Sequence, residues 1–161
     1  MQQEQTERTT LSFYAYTHLA DPQSFRDGFY TSLDALGVLG RIYVAPEGVN
    51  AQLSVPSHQL ERLRNFLDTI PFLKGVRLNI AVEDDGKSFF ALAIKVKDKI
   101  VADGLMDDEF DVTNRGVHLS AAAFNEITSK EDTIIVDMRN HYESEVGHFE
   151  KAILPPMETF R

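Results

Sequence analysis

Two groups of residues in this sequence carry chemistry. Near the C-terminus, Asp137, Arg139, Glu143 and His148 follow the apolar run Thr133-Ile134-Ile135-Val136. An Asp and an Arg at the C-terminal end of a buried parallel strand sit where α/β sheets form their ligand sites. They can equally pair with each other and fix the following loop by a charge-assisted bond. Asp137, Glu143 and His148 read first as loop-organising residues that support a site, and Arg139 is the one best placed to touch it. The second group lies in the N-terminal half: Tyr14, Tyr16, Arg41, Tyr43, Asn50, Gln52, Arg77, Asn79 and Lys87. Aromatic, arginine and amide side chains on an open sheet are the tools of single-stranded RNA modules, where rings stack bases and amides read base edges. The alternative for the same residues is packing against the strand-like run at 89–101 or against a downstream domain. Lys87 follows Asp84-Asp85-Gly86, so it either pairs locally or reaches a phosphate. Glu47-Gly48 reads as turn chemistry.

Other chemistries are discounted by residue type. The chain has no cysteine, which excludes disulfides, thiolate metal sites and thiol catalysis by any residue present. His18, His58, His118, His141 and His148 are scattered, and no pair has the helical i, i+4 spacing of a metal site, so no metal and no cofactor is expected. An acylphosphatase-type reaction needs a Gly-rich phosphate cradle with an Arg after the first strand. The corresponding loop here, Thr17-His18-Leu19-Ala20-Asp21, is acidic and lacks Gly. Net charge is −9, unevenly spread: residues 1–82 carry 7 Lys+Arg against 8 Asp+Glu, residues 83–111 carry 4 against 9, and residues 112–161 carry 5 against 8. The basic excess of a generic nucleic-acid binder is missing, so any such contact is expected to rest on a local patch or on residues beyond this chain.

The elements that must position these residues follow from periodicity. Leu11, Phe13 and Ala15 alternate with Ser12, Tyr14 and Tyr16 as a strand. Asp21-Pro22 gives a helix cap with proline in the first turn, followed by Phe25, Phe29, Leu33 and Leu36 at helical spacing, with Gly37 and Gly40 as stops. Ile42 and Val44, then Val49, Ala51, Leu53 and Val55, form two strands joined through Pro46-Glu47-Gly48 as a hairpin. Ser57 is expected to cap a second helix carrying Leu60, Leu63, Leu67 and Ile70. Val76, Leu78, Ile80 and Val82 alternate as a fourth strand. The order β-α-β-β-α-β is the split-βαβ, ferredoxin-like pattern of an α+β fold, with both helices on one sheet face. Ser120 caps a later helix, and Thr133 to Val136 reads as a buried parallel strand, the opening of an α/β sheet.

This gives an N-terminal arm at 1–10, a ferredoxin-like domain at 11–82, an acidic linker with an extra strand at 83–112, and an incomplete second domain at 113–161. The polar N-terminus lacks a secretory h-region and no apolar run spans a bilayer, so a cytoplasmic protein without membrane contact is expected.

The segment IIVDMRNHYESEVGHFEKA resembles the opening motif of the rhodanese superfamily through Asp137, Arg139, Tyr142, Glu143, Gly147, His148 and Ala152. With GRIYVAPEGVNAQLSVP, EDDGKSFF and KVKDKIVADG upstream, residues 8 to 161 resemble the rhodanese-like family of oxygen-dependent tRNA uridine hydroxylases. That resemblance implies tRNA as partner, molecular oxygen as co-substrate, and formation of 5-hydroxyuridine at the wobble position. It also implies a catalytic cysteine beyond Arg161, so this chain alone is expected to be inactive. A rhodanese-type sulfurtransferase is the alternative enzyme class. A binding or assembly role for the N-terminal domain is the non-enzyme alternative. An unfinished second domain is expected to expose apolar surface around Ile134 to Val136, so that the fragment dimerises or is poorly ordered after about residue 113.

Overall fold

The computed structural model describes residues 7–81, 88–100, 111, 113–114, 116–156 and 158. The chain divides into two compact units, Met1–Val101 and Ala102–Arg161. The composition-based boundary near residue 112 therefore lies inside the second unit, and the extra strand assigned to the linker belongs to the first.

In the first unit, strand β1 (Arg8–Tyr16) leads to helix α1 (Pro22–Ala35), the hairpin of β2 (Leu39–Ala45) and β3 (Gly48–Pro56), helix α2 (Leu60–Asp68), and strands β4 (Asn79–Ile80) and β5 (Leu92–Val96). The sheet order is β4-β1-β3-β2-β5. The first four strands pair antiparallel, as two interleaved split-βαβ units require. β5 joins the outer side of β2 in parallel and makes the sheet mixed. The inward residues of the strands, Leu11, Phe13, Ala15, Ile42, Val44, Val49, Ala51, Leu53, Val55 and Ile94, are all buried. They share one core with Phe29 and Leu33 of α1 and Leu63 and Leu67 of α2. Both helices thus cover the same face, as the alternation predicts. Burial of each such Leu or Phe stabilises the fold by about 1.5–3 kcal/mol. Phe29 stacks with Phe25 and Phe66 at centroid distances of 5.2 and 5.7 Å, joining the two helices through their aromatic rings.

Local chemistry explains the helix and hairpin ends. Asp21 caps α1 by accepting the Ser24 N–H at 2.9 Å. Gly37 stops the helix in the left-handed region at φ +67°, its N–H donating to the Asp34 carbonyl. Gly48 opens β3 at φ +137°, and a Cβ there would run into the Ala15 carbonyl. Only glycine lets the hairpin return this close to β1.

The structure corrects three sequence-based expectations. β1 starts at Arg8 rather than Leu11, because Arg8, Thr9 and Thr10 pair with Pro56, Val55 and Ser54. Ser57 does not cap α2: it begins a 3₁₀ turn, Ser57–Gln59, and its hydroxyl bonds that of Thr9 at 3.0 Å. The fourth strand is only two residues long, pairing with Leu11 and Ser12 at the sheet edge. Val76 and Leu78 pack partly against the core ahead of it, while Ile80 is exposed; Val82 lies outside the described residues.

In the second unit, helix α3 (Ala121–Thr128) is capped by Ser120, whose Oγ accepts the Ala123 N–H at 3.2 Å. Strand β6 (Ile135–Val136), helix α4 (His141–Val146) and strand β7 (Ala152–Ile153) follow. β6 and β7 pair in parallel, so β6-α4-β7 is one parallel crossover unit. Among the described residues, Ser144 alone is buried in this unit. Its hydroxyl donates to the His141 carbonyl at 2.8 Å.

Candidate functional site

Both helices lie on one face of the first sheet, and the register of its strands sets what the other face presents. One row across it reads Tyr14, Asn50, Tyr43 and Lys95 on β1, β3, β2 and β5. The next reads Asn79, Ser12, Gln52, Arg41 and Ala93 across all five strands. With strands about 4.8 Å apart, Tyr14 and Lys95 stand about 14 Å from one another along their row. Tyr14 is 51% exposed, and its ring meets that of Tyr16 edge-on at 6.1 Å. Tyr43 and Asn50 are half-buried, while Arg41 and Gln52 are exposed. Arg77 is exposed ahead of β4, and Lys87 lies outside the described residues.

Two residues that the sequence reading did not select complete this face. The Lys97 ammonium sits 5.9 Å from the Tyr43 ring centroid, within cation–π range. Lys95 stands beside Tyr43 in register. Their alternation with Ile94 and Val96 was visible in the sequence, but their neighbours were not. The described strand residues whose side chains share this face include no carboxylate, although the chain as a whole is acidic. Toward the β4 edge the face opens into a cleft of about 440 Å³, lined by Thr10, Ser12, Gln52, Asn79, Ser88 and Phe89 among others. The segment before β5 therefore touches one end of the face. β5 itself lies alongside the sheet and does not cover it.

Glu47 exceeds its expected turn role. It is buried, and its Oε1 accepts the Ile100 N–H at 2.6 Å, tying the chain after β5 to the β2–β3 turn. The loop after β1 is held by the same turn: Thr17 N–H donates to the Glu47 carbonyl at 3.0 Å and Leu19 N–H to the Pro46 carbonyl at 2.8 Å. Those two amides are already committed and cannot cradle a phosphate, in keeping with the absence of Gly and Arg from that loop.

The residues of the second unit form a compact knot after β6. The Arg139 guanidinium donates to both Asp137 oxygens, Nη2 to Oδ2 at 2.6 Å and Nε to Oδ1 at 3.0 Å, and Nη2 also reaches the Gly147 carbonyl at 2.7 Å. The Arg139 backbone N–H donates to Asp137 Oδ1 as well. The side-chain bonds from Arg139, and then this backbone bond, hold the Asp137 carboxyl down at about 2, and the same pairing raises Arg139. Glu143 Oε2 accepts from the Asn140 backbone N–H at 3.2 Å and from its Nδ2 at 2.8 Å, closing the start of α4. His148 Nδ1 lies 2.9 Å from the Ser144 carbonyl oxygen. Each of the four side chains is thus bonded to its own loop or helix end. Among the described residues, no group of three His, Cys, Asp or Glu side chains is placed to hold a metal ion.

Residues 8–100 match the UPF0176 acylphosphatase like domain. The chain is 58% identical over 161 residues, all of its length, to the tRNA uridine(34) hydroxylase of Leptospira interrogans serogroup Icterohaemorrhagiae serovar Lai (strain 56601). It is 54% identical over 155 residues, 96% of its length, to the proteins of the same name from Escherichia coli strains SMS-3-5 / SECEC and K12 / DH10B. The chain spans 44% of the length of each of these relatives.

Proposed function

The chain belongs to the UPF0176 acylphosphatase-like domain family, and from that membership we propose that it is the N-terminal part of an enzyme that hydroxylates the wobble uridine of tRNA to 5-hydroxyuridine. The observation that carries this reading is the 58% identity to a tRNA uridine(34) hydroxylase, which covers all 161 residues and so both units. The reaction inserts an oxygen atom at a pyrimidine carbon, and molecular oxygen is the co-substrate on this reading. These 161 residues contain no cysteine, so any thiol step belongs to other parts of the enzyme.

Within that enzyme the first unit offers tRNA its open sheet face. Tyr14 and Tyr43 supply flat rings for unpaired bases, and Asn50 and Gln52 supply amides for base edges. The second unit is the opening of a rhodanese-like α/β domain. Its parallel β6-α4-β7 crossover and the Asp137–Arg139 pair at the C-terminal end of β6 support that assignment. There the four polar residues shape the loop on which a site is built. The protein works in the cytoplasm; among the described residues, no helix is long and apolar enough to cross a membrane.

The test is nucleoside mass spectrometry of tRNA from a strain lacking the parent gene. The expected result is loss of 5-hydroxyuridine and its derivatives, restored by the full-length protein and not by residues 1–161 alone. Loss of a sulfur-containing nucleoside with 5-hydroxyuridine derivatives intact would replace the hydroxylase with a sulfurtransferase.

A further inference from the structure

We propose that β5 converts the open sheet face into a two-track RNA surface, with Lys95 and Lys97 binding the phosphates of a single-stranded segment whose bases stack on Tyr43 and Tyr14. The inference rests on the RNA-face reading above and adds to it the site of the backbone and the direction in which the bases are laid out.

The argument begins with charge. The chain is acidic overall, yet the described strand residues on this face include Arg41 and Lys95 and no carboxylate, and Lys97 follows directly after β5. Neither the Arg41 nor the Lys95 side chain has a hydrogen-bond or ion-pair partner among the described residues. A cationic strip without a carboxylate among the described strand residues beside it suits a polyanion. The geometry then separates two functions. Lys95 stands on the outermost strand and Lys97 just past its end, so a phosphate backbone can follow the sheet margin and stay solvated. Tyr43 is one strand inward, beside Lys95 in register, and Tyr14 is two strands further in the same row, with Asn50 between the rings. A nucleotide whose phosphate meets Lys95 or Lys97 can thus turn its base inward onto Tyr43. The Lys97 ammonium already lies 5.9 Å from the Tyr43 ring centroid, which places a cation where the phosphate of a stacked base would come. The occupant is a single-stranded RNA loop, because stacking on this flat face needs unpaired bases.

The test is a salt series of binding affinity between the full-length protein and a fluorescein-labelled single-stranded oligouridylate. Each phosphate contact to a single strand contributes about −0.7 to the slope of log K against log salt. K95A/K97A is expected to flatten the slope by about 1.4 and to weaken binding at low salt, with unchanged thermal unfolding. Y14A and Y43A are each expected to weaken binding about tenfold at every salt concentration without changing the slope, while Y43F retains affinity because the ring does the stacking. An unchanged slope in K95A/K97A, with the tyrosine variants still weakened, would overturn the phosphate track and leave the stacking face standing. If no variant alters binding, the face does not bind RNA, and packing against another part of the protein takes its place.

Discussion

Asp137 shows how much a single side chain can fix. It accepts four hydrogen bonds from Arg139, one of them from the backbone, and is largely enclosed despite its charge. Its carboxyl is held at about 2 against an ordinary 3.8. Because the folded value is the lower one, the carboxylate contributes stability that is fully present above about pH 4 and is lost as pH falls toward 2. A carbon-detected NMR titration of Asp137 is expected to show a midpoint near 2, and R139Q should return it toward 3.8. A wild-type midpoint at the ordinary value would mean that the pair does not form in solution. The Asp-x-Arg spacing was legible in the sequence. Its third partner, the Gly147 carbonyl, was not, because that contact depends on how α4 brings the chain back.

At the level of elements, strong alternation exposed β1, β2 and β3, and cap chemistry placed the start of α1 at Asp21. Periodicity cannot say which strand lies beside which. The run containing Leu92 to Val96 was visible as a strand, but its parallel docking against β2 depends on partners some fifty residues away in sequence. β4 was overestimated because Val76 and Leu78 satisfy their burial against the core without sheet pairing. β5 is held from three sides: by the β2 ladder, by Arg26 of α1 donating to the Ile94 carbonyl at 3.2 Å, and by Glu47 accepting from Ile100. Removing one partner of a buried hydrogen bond costs about 1–3 kcal/mol. Glu47→Ala is therefore expected to destabilise the first unit by that amount and to speed amide exchange at Ile100 and along β5, measured by hydrogen exchange. Exchange confined to other strands would show that the contact does not anchor β5.

For the whole molecule, the two units differ in how they bury apolar surface. The first has a continuous core between sheet and helices. In the second, Ile134 is 74% exposed and Val146 92% exposed, and Phe149 and Ile153 are more than half exposed. The sequence foresaw this around Ile134 to Val136, because a continuous apolar strand demands cover on both faces and two short parallel strands supply little. Exposed apolar groups of this kind drive association. The isolated 161-residue chain is expected to bind an apolar fluorescent dye and to sediment in a concentration-dependent manner, with I134D and V146D reducing both. Monodisperse sedimentation without dye binding would overturn this. The open face of the first sheet was legible as a set of side chains, but its cationic margin was not, since it arises only when β5 takes its place beside β2.

That margin has a second consequence, for the life of the chain before it is fully folded. A sheet ends where its outermost strand leaves backbone N–H and C=O groups unpaired, and such edges recruit strands from other molecules. Here one margin is the two-residue β4, too short to template another strand, and the other is β5, which carries Lys95 and is followed directly by Lys97. A second copy adding in register at β5 would bring ammonium groups against ammonium groups. The side chains proposed to meet RNA phosphates would thus also set like charge against like charge at this sheet edge.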